Sequence, residues 1–341
     1  MRALSCGTRR GRRGGLAAGL VMAGALALAG CSSSVDADEG DDSGSFTFTD
    51  DRGETVTLDT DEPRIVAQED AANALMNLGI KPVGIFGGAP MEQNPMLEGL
   101  DLDGITSVGE VFGEVKLETL LDLQPDIIVS TYYTGDGVLF PGGVYGFQNK
   151  QMQDDAQEIA PILAINATQP SSQVIARFAE MAKAMGADVE GGSVGQSKQE
   201  FDHAVDELRS VAKGREELEV LAVTPAEDQM YYAVPDLFPD LLDLEDWGVN
   251  IMTPTGDLVS SYYEAVSWEN AAKYQPDVVL IDVRGYTLGT DELEKYPTWN
   301  AIEAVEAGQI GEWVRVSLSY EDYTKRIERL TDILRNAKDV G

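Results

Sequence analysis

The fold is decided by the stretch VKLETLLDLQPDIIV, residues 115–129, whose pattern recurs as VSWENAAKYQPDVVL in residues 266–280. In each copy a glutamate, Glu118 or Glu269, precedes a Gln-Pro-Asp sequence at the same spacing, and a short apolar run follows. Proline disfavours helix at the residue before it, and short β-branched runs favour strands that are buried on both faces. Each copy therefore predicts a short helix, a break and a buried strand. Together they predict two similarly built α/β lobes.

The composition limits the partners of the chain. Its 341 residues carry a formal net charge of -34, from 59 acidic and 25 basic side chains. This length allows two domains, each with its own core. Because there is no basic surface to neutralise phosphates, we expect no nucleic-acid partner. Such acidity favours a cationic or neutral ligand over an anionic one, and it is equally consistent with a saline habitat.

The N-terminus has the pattern of an export signal. Several arginines precede an apolar segment, residues 16–29, that is short for a membrane span. The segment ends in Leu-Ala-Gly-Cys, which resembles the bacterial lipobox and would place a lipid on Cys31. We therefore expect residues 1–30 to be a lipoprotein signal peptide and residues 31–45, rich in Ser, Asp and Gly, to be a disordered tether. A plain secretory signal remains the alternative, and the export route, general secretory or twin-arginine, stays open.

From residue 46 to residue 165 strand and helix patterns alternate, which predicts a mainly parallel sheet in the first lobe. No strand pattern occurs between residues 166 and 218, so the two lobes are expected to be joined by helix. The predicted bounds are 46–186 for the N-terminal lobe, 187–214 for the connecting helix and 215–341 for the C-terminal lobe. The predicted fold class is α/β, with two Rossmann-like lobes joined by a single long helix.

Five stretches between residues 46 and 334 resemble, in their order, the solute receptors of ABC importers that take ferric siderophores, cobalamin and haem. They are PRIVAQEDAANALMNLGIKPVGI (63–85), VGEVFGEVKLETLLDLQPDIIVS (108–130), AQEIAPILAI (156–165), VSWENAAKYQPDVVLID (266–282) and YPTWNAIEAVEAGQIGEW (296–313). The resemblance implies a ligand cleft between the lobes and a small opening motion. It also implies a monomeric receptor, anchored to the outer face of the bacterial cell membrane, that docks on an importer permease.

Ligands of open α/β sheets bind beyond the carboxyl ends of the strands, so side chains that follow predicted strands are candidate ligand contacts. They are Gln68, Glu69, Phe86, Tyr132, Tyr133, Met230, Tyr231, Tyr232, Tyr262, Arg284 and Tyr286. The aromatic rings among them suit a flat or apolar chelate, although tyrosines also cap surface loops. The guanidinium of Arg284 suits a forked grip on ligand oxygens, with a surface salt bridge as the alternative.

Basic residues are scarce in the predicted cleft loops. This favours a neutral or cationic hydroxamate-type siderophore over a strongly anionic triscatecholate, with haem or cobalamin as the alternative ligand. The resemblance also implies one surface glutamate on each lobe that docks on the permease, and the repeated Glu118 and Glu269 are the candidates. Glu114 and Glu264 lie close to them in sequence. A glutamate favoured at a helix start by the helix dipole is the alternative explanation.

The sequence carries no catalytic constellation: a P-loop and a cysteine nucleophile are missing, and the Gly-x-Ser-x-Gly match at residues 191–195 follows no predicted strand. The single histidine, His203, falls in the predicted connecting helix and is expected to face solvent, whereas a zinc site needs several such ligands. We therefore expect no resident metal or cofactor and no enzymatic activity. A secreted hydrolase that uses paired carboxylates remains the alternative from another class.

Overall fold

The structure is a computed structural model that describes residues 45–135, 139–282, 287–313 and 318–341. The predicted signal peptide, Cys31, Arg284 and Tyr286 lie outside these residues. None of the described helices is long and apolar enough to cross a membrane.

The N-terminal lobe is built on a five-stranded sheet, parallel throughout, in the order β5–β4–β3–β6–β7. Its strands are β3 (Ile65–Gln68), β4 (Gly84–Phe86), β5 (Thr106–Gly109), β6 (Ile127–Tyr132) and β7 (Ile162–Asn166). Its helices are α1 (Glu69–Asn77), α2 (Leu117–Leu123), α3 (Lys150–Ile159) and α4 (Ser171–Ala184).

An antiparallel hairpin precedes this sheet, formed by β1 (Phe46–Thr49) and β2 (Thr55–Leu58). Its turn holds two aspartates that bind the edge strand β7. The Ala164 amide donates to Asp50 Oδ2 at 2.9 Å, and the Asn166 amide donates to Asp51 Oδ2 at 2.9 Å. The hairpin turn therefore covers part of an edge that would otherwise expose unpaired backbone groups.

The C-terminal lobe is built on a six-stranded sheet in the order β10–β11–β9–β8–β12–β13. Its strands are β8 (Val220–Pro225), β9 (Gln229–Ala233), β10 (Leu258–Ser260), β11 (Tyr263–Ser267), β12 (Val278–Asp282) and β13 (Ile310–Trp313). Only β8, β12 and β13 pair in parallel, so the sheet of this lobe is mixed. The connections β8–β9 and β10–β11 are too short for a parallel crossover, and they force antiparallel pairing.

Five described helices accompany the second sheet. They are α5 (Gly192–Lys213), α6 (Pro239–Asp246), α7 (Thr290–Leu293), α8 (Glu303–Glu306) and α9 (Tyr320–Asn336). The chain passes from the first sheet to the second through α4 and α5, with no strand described between them. On α5 the ring of Phe201 packs against Tyr320 and Tyr323 of α9, with centroids 5.3 and 5.5 Å apart. His203 of α5 is exposed, as the sequence predicts.

The repeated Pro-Asp pair has the same structural role in both lobes. In the first, the Arg64 amide donates to Asp126 Oδ2 at 2.7 Å, and the Asp126 amide returns a bond to the Arg64 carbonyl. In the second, Glu219 and Asp277 make the same two contacts, with the amide to Oδ2 distance at 2.8 Å. Asp126 therefore fixes the start of β6 beside β3, and Asp277 fixes the start of β12 beside β8.

The helical half of the repeat differs between the copies. The first copy forms α2, which ends where Gln124 adopts a left-handed conformation with φ of 46°. The second copy forms only a short 3₁₀ turn, Trp268–Asn270, so the prediction of a matching helix is wrong there. The first copy has leucines spaced along one face, whereas the second has alanines, and the Asn270 side chain bonds back to Ser267 Oγ at 3.2 Å. Asparagine that bonds locally in this way competes with helix formation.

Candidate functional site

A cavity of about 190 Å³ lies between the two sheets, at the carboxyl ends of β6 and β13. From the N-terminal lobe its wall includes Asp70, Thr131, Tyr133 and Ser171. From the C-terminal lobe its wall includes Phe238, Asp240, Tyr262 and Trp313. The cavity therefore occupies the position at which open α/β sheets bind ligands.

Three rings form an aromatic group on the N-terminal lobe, which we call the N-lobe aromatic group. The ring of Tyr145 lies 5.0 Å from Phe112 and 5.2 Å from Tyr133, centroid to centroid. The loop that carries Tyr145 is fixed to β6, because Ser130 Oγ donates to the Tyr145 carbonyl at 2.7 Å and the Tyr145 amide donates to the Thr131 carbonyl at 2.8 Å. Phe112 keeps 40% of its surface exposed, so the group offers apolar surface beside the cavity.

Five rings form the C-lobe aromatic group: Tyr231, Phe238, Tyr262, Tyr263 and Trp313. Phe238 is at its centre, 5.7 Å from Tyr262, 5.5 Å from Tyr263 and 4.9 Å from Trp313. Tyr231 contacts Tyr263 at 5.7 Å. The indole nitrogen of Trp313 donates a hydrogen bond to Asp240, which fixes the plane of that ring.

Among the described residues of the cavity wall, only Asp70 and Asp240 carry a formal charge. Both are buried, at 1% and 8% exposure. Asp240 accepts the indole hydrogen bond of Trp313 and also interacts electrostatically with the partly buried Arg326. The described wall is therefore mostly apolar and aromatic, and none of its described residues is a cation.

The two lobes are also linked beside the cavity, through Asp243 of α6. Its carboxylate accepts hydrogen bonds from the Ser172 amide at 2.7 Å and from Ser172 Oγ at 2.5 Å, and Ser172 lies in the first turn of α4. The hydroxyl of Tyr323 donates to the same carboxylate at 2.8 Å. Burial raises the pKa of Asp243, although these hydrogen bonds act to lower it. The contact joins α4 and α6, and both helices also contribute residues to the cavity wall.

The predicted ligand contacts fall in several places. Tyr133 and Tyr262 lie in the cavity wall, and Tyr231 lies beside it in the C-lobe aromatic group. Tyr132 lines a different groove, where its hydroxyl donates to the Asp51 carbonyl at 3.1 Å and burial raises its pKa. Glu69 accepts hydrogen bonds from the Gly88 amide at 2.9 Å and from Asn94.

The four other described candidates are buried outside the cavity wall. Gln68 Oε1 accepts from the Asp70 amide at 2.9 Å and so caps α1. Phe86 packs on Phe147, with centroids 5.4 Å apart, and Met230 is enclosed in the core. Tyr232 donates to the Ala271 carbonyl at 2.9 Å, and burial raises its pKa. These four side chains therefore support the fold and do not line the cavity.

Several residues of the site were missed by the sequence reasoning. They are Asp70, Phe112, Thr131, Tyr145, Ser171, Phe238, Asp240, Tyr263 and Trp313. Trp313 ends β13, so the rule that ligands bind beyond the carboxyl ends of strands applies to it. Tyr145 and Phe238 lie in loops away from predicted strand ends, and no local pattern marks them.

Two α/β lobes with a cavity between the carboxyl ends of their strands define the class of two-lobed solute-binding proteins. The chain belongs to the periplasmic binding protein family, whose model matches residues 93–314. This confirms the predicted fold class and the expectation of a binding protein, and it sets the hydrolase alternative aside.

Known proteins similar to this chain agree with that class. The crystal structure of DesE, a ferric-siderophore receptor protein from Streptomyces coelicolor, is 31% identical, covers 87% of this chain and all of its own, and superposes with a TM-score of 0.75. The Fe(3+)-citrate-binding protein YfmC of Bacillus subtilis is 23% identical over 296 residues, 85% of this chain and 86% of that protein. The petrobactin-binding protein YclQ of Bacillus subtilis shares the fold, with a TM-score of 0.61 at 18% identity over 86% of this chain and 99% of its own.

Proposed function

We propose that the protein captures a ferric siderophore, with a neutral or cationic hydroxamate chelate favoured, and delivers it to the permease of an ABC importer. The observation that carries the proposal is the interlobe cavity, which is lined by aromatic rings from both lobes and by no described cation. A relative that is 31% identical over its full length is a ferric-siderophore receptor, which supports the same ligand class. The protein acts by binding and release, as a monomer.

Aromatic side chains suit such a ligand because they supply apolar contact area together with hydroxyl groups for hydrogen bonds. Pockets for drug-sized ligands have volumes of roughly 300 to 1,000 Å³. The cavity of about 190 Å³ is smaller, so the lobes must separate slightly to admit a whole chelate. A small opening is what the helical connection over residues 187–214 would allow, and we retain 46–186 and 215–341 as the proposed bounds of the lobes.

The charged groups of the cavity wall favour some candidate ligands over others. Ferric citrate and ferric triscatecholates are anionic, and the described residues of the cavity wall offer them no cation. A neutral or cationic hydroxamate chelate needs no such partner. Haem also carries carboxylates, so for the same reason it is a less favoured ligand than a hydroxamate chelate.

A ligand titration tests the proposal. The chain contains 4 tryptophans, and Trp313 lies in the cavity wall, so binding there should quench the intrinsic fluorescence. Ferrioxamine B and ferrichrome should quench the mature protein at micromolar or lower concentration. Ferric citrate, a ferric triscatecholate, haem and cobalamin should not. Free tryptophan, titrated with the same coloured chelates, corrects for absorbed light. Saturable quenching by the anionic chelates or haem alone would contradict the hydroxamate proposal.

The lipid anchor is part of the proposed delivery. A tethered receptor has a high effective concentration at its transporter, and the lipobox-like sequence places the lipid on Cys31. Cys31→Ser should release most of the protein from the cell membrane into the surrounding fluid, as measured by fractionation and immunoblotting. Cys6→Ser is the matched control, because that cysteine precedes the apolar segment, and it should leave the protein bound. Equal retention of the two variants would contradict lipidation at Cys31.

The permease contacts are proposed at Glu118 and Glu269. Both side chains are exposed, one in the first turn of α2 and the other in the 3₁₀ turn of the second copy. A hydrogen bond with Ser267 lowers the pKa of Glu269 and so favours its charged form. Glu264 is buried and accepts hydrogen bonds from Lys273, Tyr274 and the Gly256 amide, which makes it unsuited to docking. Glu114 is also exposed, so experiments on docking must distinguish it from Glu118.

A further inference from the structure

Thr131 is a buried polar side chain in the wall of the interlobe cavity. It lies near the carboxyl end of β6, the strand between β3 and β7 in the first sheet. The residue has 0% exposure, and its hydroxyl oxygen has no hydrogen-bond partner among the described residues. Buried hydroxyls are nearly always paired in native proteins, so an unpaired one needs a physical explanation.

The strand itself shows which way this hydroxyl faces. Side chains alternate along a strand, so Ile127, Val129 and Thr131 share one face of β6. Ile127 and Val129 belong to the core that packs beneath α1 and α4. Thr131 continues this row to the point where the core opens into the cavity. Ser130, on the opposite face, is already satisfied through its bond to the Tyr145 carbonyl.

Packing gives no reason for a hydroxyl at this position. Valine has nearly the same shape as threonine, favours strands equally and avoids the cost of burying an unpaired polar atom. Ser171, also buried, adds a second hydroxyl-bearing side chain to the same wall. Both residues line the cavity wall, so a chelate that separates the lobes would reach their hydroxyl groups there.

We propose that the Thr131 hydroxyl is a specificity-determining ligand contact, which forms a hydrogen bond with an uncharged polar group of the bound chelate, such as an amide or hydroxamate oxygen or an amide N–H. This inference rests on the proposed function, because it takes the interlobe cavity as the ligand site. The hydroxyl donates and accepts, so it pairs with either kind of group. The described cavity wall offers no cation for an anionic group at this point, which favours an uncharged partner.

The test compares Thr131→Val with Thr131→Ser in the mature protein, using ferrioxamine B and ferrichrome as probes. Thr131→Val should weaken the binding of at least one of the two chelates roughly three- to tenfold, as expected for one neutral hydrogen bond. Thr131→Ser keeps the hydroxyl and should bind within about twofold of the wild type. The Tm of the unliganded Thr131→Val protein should be unchanged or higher, because an unpaired buried hydroxyl has been removed.

Three results would overturn the inference, and they are distinguishable from one another. If the wild type binds the chelates and Thr131→Val binds them equally tightly, the hydroxyl is not a ligand contact. The proposed function is then unaffected. A lower Tm in Thr131→Val shows that the hydroxyl supports the fold, for example through a buried water molecule. A wild-type protein that binds neither chelate removes the proposed function and this inference together.

Discussion

Reversing the charge of both Glu118 and Glu269 to lysine is expected to abolish import of the ferric siderophore while its affinity for the purified protein stays unchanged. Both side chains are exposed, and neither belongs to the cavity wall. If they pair with basic pockets on the permease, reversal places like charges across the interface, which costs several kcal/mol. Uptake should then fall more than tenfold, measured with radioactive iron in cells that depend on this receptor, beside fluorescence titration of the same variants.

The control for this pair is Glu62→Lys with Glu328→Lys. These glutamates are also exposed, one on each lobe, so the double variant has the same net charge and the same number of changes. It should retain import. Equal loss of import in both double variants would indicate a general charge effect, and loss of ligand affinity in Glu118→Lys/Glu269→Lys would contradict a docking role.

Phe238→Ala is expected to weaken siderophore binding about thirtyfold or more. Its ring contacts Tyr262, Tyr263 and Trp313, so its removal takes an anchor from the cavity wall and frees three neighbouring rings to move. Truncation of central aromatic anchors commonly costs about 2 kcal/mol or more of binding free energy, which corresponds to this factor. Phe238→Leu retains apolar bulk and should lose less. The measurement is the dissociation constant of the best chelate from the ligand panel.

Tyr296→Ala is the matched control for Phe238→Ala. Tyr296 is also half-buried and stacks on another aromatic ring, that of Trp268 at 3.8 Å, but it lies outside the cavity wall. Its removal should lower stability by an amount comparable to that of Phe238→Ala and leave chelate affinity within about twofold. Equal losses of affinity in the two variants would mean that Phe238 acts through the stability of the lobe.

The site was only partly predictable because strand patterns do not reveal which face of a strand meets the ligand. In β9 the sequence marks Met230, Tyr231 and Tyr232 alike as candidate ligand contacts. The strand alternates, so Met230 and Tyr232 are fully buried and Tyr231 lies on the opposite face beside Tyr263. A shift of one residue exchanges the faces, and the sequence alone does not say which face another element covers.

The sequence by itself determined the α/β class and the two-lobed plan, because these depend on local patterns. The tertiary structure alone decided the composition of the cavity wall. Tyr133 and Thr131 meet Phe238 and Tyr262 only because two sheets, far apart in sequence, bring their loops together. The tertiary structure also separated the exposed Glu269 from the buried Glu264, since burial depends on neighbours that lie elsewhere in the chain. The first copy of the pattern forms the helix that the sequence predicts. The second copy forms only a short turn, in which Trp268 packs on Tyr296.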